Sequence, residues 1–289
     1  MKKSYLLLHT AVLFLGLSPV FGKLISLNEG LLTWYRVCFS AIILFFIVKL
    51  SNINTGIGIK AKFNIGKVGV LLTLSWLFFF ASIKYANISI GVVCYCMASL
   101  FTAILEPLIN KTTFRLSDFL LSMLIVLGIG LIFHFDTSYQ LGIILGITSP
   151  LFYTLYSIYN KRLVLHYDSK LINYYQMIGG TISLGILLPV YLYFFPSPRL
   201  IPNLMDTVYL ILLALFCTVL VYVFLTRAFK ELSAFTANLS MNMEPVYAII
   251  VAFLFLGEHK QVNLSFYVGL AFVLLAVIIQ TYISSRKHV

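Results

Sequence analysis

Long apolar runs separated by short polar clusters occupy the whole chain. The clearest breaks are the polar stretch from Asn52 to Lys67, the pair Lys161-Arg162 and the proline-rich turn from Pro196 to Pro202. A helix needs about 20 apolar residues to cross a membrane, whereas strands of a membrane barrel alternate over about 10 residues. The pattern therefore predicts an all-α membrane protein with ten transmembrane helices. The predicted spans cover residues 5–25, 31–50, 66–86, 89–110, 116–134, 139–160, 170–194, 207–228, 234–257 and 263–284.

The composition agrees with a chain that is surrounded by membrane lipid. Hydrophobic residues make up 61% of the 289 residues and charged residues only 10%, against roughly 25% charged in an average soluble domain. The four cysteines all lie in apolar stretches, so we expect small buried residues and not a disulfide or a metal set. We therefore expect no cofactor and no separate soluble domain.

The positive charges predict the orientation of the spans. With the N-terminus in the cytoplasm, 15 of the 20 Lys and Arg residues fall at inside ends and only 4 at outside ends. Such a bias is the usual mark of cytoplasmic segments, and an even number of spans returns the C-terminus to the cytoplasm. The same bias explains the net charge of +11, so nucleic acid is not an expected partner. The predicted location is the inner membrane.

The two halves of the chain, 1–136 and 137–289, resemble each other in order. Ser18-Pro19 in span one matches Ser149-Pro150 in span six, and Leu116-Ser117 matches Leu264-Ser265. Residues 31–36 of span two align with residues 171–176 of span seven. Five helices per half would insert the second half the other way up, which gives a midplane binding site with two access states. The alternative is a duplication that only enlarges the bundle.

Several segments carry a family resemblance over nearly the whole chain. They are Arg36, Glu244-Pro245-Val246, Leu256-Gly257-Glu258 and the stretch 153–161. With these segments the chain resembles the EamA-type permeases of the drug/metabolite transporter superfamily. It departs from their pattern at Leu15-Gly16, where Trp-Gly is usual, and at Lys111-Thr112, where Gly-Glu is usual. The resemblance implies two five-helix units and the export or exchange of small metabolites, often amino acids or related compounds.

Glu244 and Arg36 are the sharpest candidates for binding or coupling. Glu244 lies ten residues into span nine, roughly 15 Å along the helix, where a carboxylate costs about 2.5–3.5 kcal/mol to insert. It could carry a proton through a transport cycle or meet a substrate ammonium group; the alternative is a hydrogen-bonded packing residue. Arg36 could clamp a carboxylate or pair with an internal acid, or instead reach lipid headgroups.

Further candidates lie on helices that we expect to surround a central path, namely spans one, two, four, six, seven and nine. Aromatic rings could pack a substrate or hold a cation, and amides could hydrogen-bond it, although packing between helices explains both types of residue equally well. Glu106 repeats the Glu-Pro pair near the cytoplasmic end of span four, where it could instead pair with Lys111 or Arg115. The full set of candidates is Trp34, Arg36, Glu106, Tyr153, Tyr156, Tyr175, Gln176, Asn238, Asn242 and Glu244.

These patterns favour a secondary transporter that moves a small-molecule substrate by alternating access. The sequence lacks a G-x-x-x-x-G-K-[ST] phosphate loop, so we expect coupling to a proton or a counter-substrate. Two complete halves make a monomer sufficient, and a dimer is possible. The alternatives are a channel or a membrane scaffold without transport. An intramembrane enzyme is less favoured because the five histidines are scattered among ends and loops, so we do not expect an enzyme.

Overall fold

The protein is described by a computed structural model that covers residues 2–53, 55–135, 139–231, 244–260 and 262–286. Every regular element within these ranges is a helix. In chain order they are α1 (Lys2–Leu15), α2 (Ser18–Leu24), α3 (Glu29–Leu50), α4 (Ile59–Tyr85), α5 (Ile88–Tyr95), α6 (Ala98–Asn110), α7 (Leu116–Phe135), α8 (Gln140–Leu163), α9 (Ser169–Phe194), α10 (Leu204–Ala214), a π-helix (Leu215–Leu220), α11 (Val221–Glu231), α12 (Glu244–Phe255), a 3₁₀ turn (Glu258–Lys260) and α13 (Leu264–Arg286).

Seven helical stretches in the described ranges are long and apolar enough to cross a membrane, and two shorter apolar helices accompany them. The prediction of a multi-span helical membrane protein is therefore confirmed. The long stretches are Leu6–Leu24, Glu29–Leu50, Ile59–Tyr85, Ile88–Asn110, Gln140–Leu163, Ser169–Phe194 and Leu204–Phe229.

The helix bounds differ from the sequence prediction at span three. We expected a loop up to Asn64, but α4 already begins at Ile59. Two apolar residues in this segment, Ile59 and Phe63, are exposed, and lysines alternate with them. The first two turns of α4 therefore continue the helix beyond the apolar stretch, which a hydropathy argument alone does not detect.

Contacts between helices follow a twofold pattern. The helix α4 packs along α8 while α1 packs along α11, and α4 packs along α9 while α10 packs along α3. When each helix is replaced by its counterpart in the other half, the α4–α8 contact corresponds to the α11–α1 contact, and the α4–α9 contact corresponds to the α10–α3 contact. Three further contacts each join a helix to its own counterpart in the other half: α3 with α9, α5 with α12 and α7 with α13. This is the arrangement expected when two related units pack around a pseudo-twofold axis.

The two halves make direct backbone contact where α4 crosses α9. A Cβ atom on Gly69 would lie 2.1 Å from the carbonyl oxygen of Gln176, and one on Gly179 would lie 2.4 Å from the carbonyl oxygen of Gly66. Next to them, a Cβ atom on Gly180 would lie 2.1 Å from the Thr73 hydroxyl. Small residues at a membrane helix contact allow this close approach, so the glycines set the distance between the halves here.

Buried carboxylates tie the halves together at the predicted outer ends of the helices. Glu258 accepts hydrogen bonds from the backbone amides of Ile88 and Ser89, both at 3.0 Å, and from the Ser89 hydroxyl at 2.9 Å. Asp206 accepts from the amide of Ser26 at 2.8 Å and from its hydroxyl at 2.6 Å. The amides at the start of α5 would otherwise lack partners within the helix, so Glu258 both caps that helix and joins the two halves.

Glycine 69 gives a test of the α4–α9 contact. We expect Gly69→Leu to destabilise the protein by about 1–3 kcal/mol or more, because the clash is with a backbone atom that cannot rotate away. Gly130→Leu is the matched control, since within the described residues no atom outside the backbone of its own helix lies within 4 Å of the position that its Cβ would occupy. Thermal unfolding in detergent measures both variants. Equal melting temperatures for the two variants would contradict the backbone contact.

Candidate functional site

A small cavity lies between the two halves, where helices from both meet. It is about 10 Å³ in volume, which is room for about one water molecule. Two ionisable side chains face it, the basic Arg36 and the acidic Glu244. The lining residues are Leu15, Ser18, Arg36, Trp76, Phe79, Tyr95, Tyr222 and Glu244.

Helices are interrupted around this cavity. The first predicted span breaks between α1 and α2, and the fourth breaks between α5 and α6. At both breaks the backbone bonds tighten to i→i−3, from Leu17 to Phe14 and from Met97 to Cys94. This tightening keeps the backbone satisfied, as hydrocarbon requires. Gly16 stands at the first break because a Cβ there would lie 2.7 Å from the Cβ of Tyr247 on α12. Broken membrane helices are typical of transporter binding sites.

Arg36 is held by a π-helix from the other half. Its side chain is 1% exposed; Nε donates to the Thr218 hydroxyl at 2.8 Å, and Nη2 donates to the Cys217 carbonyl at 3.0 Å. The Thr218 hydroxyl in turn donates to the Leu213 carbonyl at 3.0 Å. Single π turns are rare in proteins overall, and those that occur are often found at functional sites. Here the π turn presents a hydroxyl and a carbonyl to a guanidinium group that needs fixed acceptors.

The guanidinium group also lies on an aromatic ring. The Arg36 Cζ atom is 3.9 Å from the centre of the Trp76 ring, a cation–π distance. The Trp76 Nε1 atom donates to the Tyr222 hydroxyl at 3.2 Å, and the two rings meet edge to face. Trp76 thus supports the arginine from one side, while its own polar atom is satisfied by a second cavity residue.

One nitrogen of Arg36 is left for another partner. Nη1 is buried and has no hydrogen-bond partner within the described residues. Glu244 is 5% exposed and lines the same cavity. A buried guanidinium with a spare donor fits a carboxylate ligand, and a buried carboxyl fits an ammonium group or a proton. The cavity therefore offers complementary groups to a zwitterion.

Two of the predicted tyrosines lie behind the cavity. Tyr153 and Tyr156 are fully buried, and their ring centres are 5.7 Å apart. Tyr153 packs on Tyr95 and Tyr156 packs on Tyr222. They support rings that line the cavity, so the structure places them beside the candidate site and not in its wall.

The other predicted residues lie elsewhere. Trp34 donates to the Thr181 carbonyl at 3.2 Å, and Tyr175 packs on Tyr174 and under Lys62. Gln176 is buried and donates to Asn160 at 2.9 Å. Glu106 lies close enough to Lys161 to interact with it electrostatically. Asn238 and Asn242 fall outside the described residues.

The helices around the cavity also differ from the prediction. We expected spans six and seven to line the path, but spans three and eight supply Trp76, Phe79 and Tyr222. Within the described ranges, no group of three or more His, Cys, Asp or Glu residues is placed to hold a metal ion.

Sequence reasoning missed most of the residues that hold Arg36. Cys217 and Thr218 carry no charge and lie in an apolar run, and no residue pattern in that run predicts a π turn. Trp76 could have been found, because it is one of only two tryptophans in the chain and lies deep in a predicted span. Tyr95 and Tyr222 are two among 18 tyrosines, so composition gave no reason to select them.

Comparison with known proteins agrees with this architecture. The model of the EamA-like transporter family matches residues 2–134 and again residues 140–282. An uncharacterized transporter of Clostridium kluyveri is 24% identical over 308 residues, covering 99% of this chain and 95% of that protein. The uncharacterized transporter YdfC of Bacillus subtilis is 25% identical over 178 residues, covering 61% of this chain and 57% of that protein.

A solved structure shares the fold over its whole length. It is a crystal structure with a TM-score of 0.68 and 12% sequence identity, and the match covers 100% of both chains. The helical architecture and the relatives define a multi-pass membrane transporter. The chain belongs to the EamA-like transporter family, as its resemblance to these permeases predicted, and the family points away from an enzyme.

Thr218 gives a test of how Arg36 is held. We expect Thr218→Val to destabilise the protein by about 1–3 kcal/mol, because a buried charged donor loses its acceptor. Thr148→Val is the matched control, since the Thr148 hydroxyl donates to the Ile144 carbonyl of its own helix and not to a charged group of the other half. Thermal unfolding of both purified variants makes the comparison. A Thr218→Val protein as stable as the control would show that Arg36 does not depend on the π turn.

Proposed function

We propose that this protein is a secondary transporter that moves a small amino-acid-like metabolite across the inner membrane by alternating access. One observation carries the proposal: Arg36, with a spare donor, and Glu244 face one buried cavity between the halves. Arg36 would bind the substrate carboxylate, and Glu244 would meet its ammonium group or carry the coupling proton. The direction of transport would be export or exchange.

The size of the cavity indicates which state the structure represents. A volume of about 10 Å³ holds one water molecule and no metabolite. A substrate must therefore separate helices that are now in contact. At the predicted outer ends those contacts are the bonds from Glu258 to α5 and from Asp206 to Ser26. We infer an occluded state in which opening to the outside breaks these bonds.

The proposed orientation follows from the charge bias and from the repeat. Ten spans with both termini in the cytoplasm place the two five-helix units, 1–136 and 137–289, in opposite directions. The twofold pattern of helix contacts supports this arrangement, because an inverted repeat exchanges its two access states about such an axis. A single chain supplies both units, so a monomer is sufficient, and a proton or a counter-substrate would provide the driving force.

A channel is the principal alternative to a carrier. A channel needs a continuous water-filled path, while the residues at this cavity enclose space for about one water molecule. Counterflow exchange in vesicles separates the two functions, because only a carrier exchanges labelled substrate for unlabelled substrate. Conductance far above carrier turnover, without exchange, would identify a channel.

Ligand-dependent stability tests the proposed substrate class. We expect a free amino acid to raise the melting temperature of the purified protein. We expect its carboxamide to leave the melting temperature unchanged, because the amide offers Arg36 no negative charge. A ligand at about 100 times its Kd adds about 2.7 kcal/mol of stability. A screen of amino acids, nucleosides and organic cations identifies the class. Equal stabilisation by acid and amide would contradict the arginine clamp.

Glu244→Gln tests the coupling residue. We expect the variant to lose transport in vesicles while its expression and monodispersity stay unchanged, because the amide keeps the shape of the side chain and removes its charge and proton. Asp168→Asn is the matched control, since Asp168 is exposed and only caps the start of α9, a role that Asn also performs. Full transport by Glu244→Gln would exclude the assigned role.

A further inference from the structure

A second, larger cavity opens on the surface between α4 and α8, at the ends that we place in the cytoplasm. Its volume is about 390 Å³, far more than the roughly 10–15 Å³ that a single water needs. We call it the α4–α8 cleft. Its lining residues are Asn64, Lys67, Val68, Leu71, Tyr159, Arg162 and Leu163.

The floor and the rim of the α4–α8 cleft differ in polarity. Val68 and Leu71 supply an apolar floor, and Lys67 and Arg162 supply two cations. The seven lining residues include no carboxylate. Water in such a space would find few hydrogen-bond partners, while a hydrocarbon chain would cover the floor. The rim would attract an anion.

Both cations are held at the rim by neighbouring groups. The Lys67 ammonium lies 4.5 Å from the centre of the Phe63 ring. Arg162 Nη2 donates to the Asn110 side chain at 2.6 Å and to the Ile109 carbonyl at 2.9 Å. These partners are neutral, so the positive charges remain uncompensated within the cleft. Arg162 at the same time fixes the end of α8 to the end of α6.

The depth of these residues matches the layers of a membrane. In the predicted orientation, α4 runs outward and α8 runs inward. Leu71 thus lies one turn deeper than Lys67, about 6 Å at 1.5 Å per residue, and Tyr159 lies deeper than Arg162. The cations stand at the level of lipid headgroups and the apolar floor stands at the level of acyl chains. Basic pockets between membrane helices on the cytoplasmic side bind anionic headgroups.

We propose that the α4–α8 cleft is a binding site for one anionic phospholipid of the cytoplasmic leaflet. The phosphate sits between Lys67 and Arg162, and an acyl chain runs along Val68 and Leu71. Because α4 and α8 belong to different halves of the chain, the lipid joins the two units at their cytoplasmic ends. The site lies apart from the cavity that holds Arg36 and Glu244, and it does not depend on which substrate is carried.

Native mass spectrometry of the purified full-length protein tests the site. The protein is titrated with phosphatidylglycerol, with phosphatidylcholine and with inorganic phosphate. We expect one phosphatidylglycerol to bind more tightly than phosphatidylcholine, and Lys67→Glu to weaken it about tenfold or more, because a charge reversal at the headgroup replaces attraction by repulsion. Lys60→Glu makes the same charge change on an exposed residue of α4 outside the cleft, and should leave binding unchanged.

A second variant tests the apolar floor without changing the charge. Leu71→Trp fills the cleft, so we expect it to lose the bound lipid while both cations remain. Size-exclusion chromatography checks that each variant is monodisperse. If Leu71→Trp is not monodisperse, the comparison of Lys67→Glu with Lys60→Glu tests the site by itself. Three outcomes would overturn the proposal: equal binding of phosphatidylcholine, equal weakening by Lys60→Glu, or binding of inorganic phosphate as tight as that of the lipid.

Discussion

Hydrocarbon offers no hydrogen bonds, so every polar group inside a membrane protein must find its partner within the protein. This constraint explains where the buried charges lie. Glu258 and Asp206 meet backbone amides and serine hydroxyls of the other half, and their bonds hold the two units together. Arg36 meets a carbonyl and a hydroxyl but keeps one spare donor. Several buried polar atoms in the described residues lack a partner, and Arg36 is the charged residue among those that carry them.

The fold is close to symmetric, but the site is not. Helix contacts repeat when the halves are exchanged, yet the sequence alignment of the halves sets Gln176 opposite Arg36. Gln176 is engaged with Asn160 and lies outside the cavity. One half therefore supplies the cation and the other supplies the acid. Duplication produced the framework, and the two copies then diverged at the positions that carry charge.

The fold class and the two charged residues could be predicted because each depends on a strong and simple signal. Apolar runs define membrane helices, and a charge inside such a run is costly enough to require a function or a partner. The aromatic candidates Trp34 and Tyr175 were less predictable, because helices that are apolar all round do not show which face points inward. The breaks near Gly16 and Cys96, and the π turn that holds Arg36, arise from packing between helices distant in sequence. No local pattern encodes them.

The glycine contact between α4 and α9 sits away from the middle of both helices. From Gly69 the outer end of α4 at Tyr85 is roughly 24 Å away, and the inner end at Ile59 is roughly 15 Å away. If the halves rock about this contact, it acts as an off-centre pivot. A given tilt then moves the outer end about 1.6 times as far as the inner end. Under such a motion, in the proposed orientation, the outward opening would be the wider one and the two faces of the transporter would be mechanically unequal.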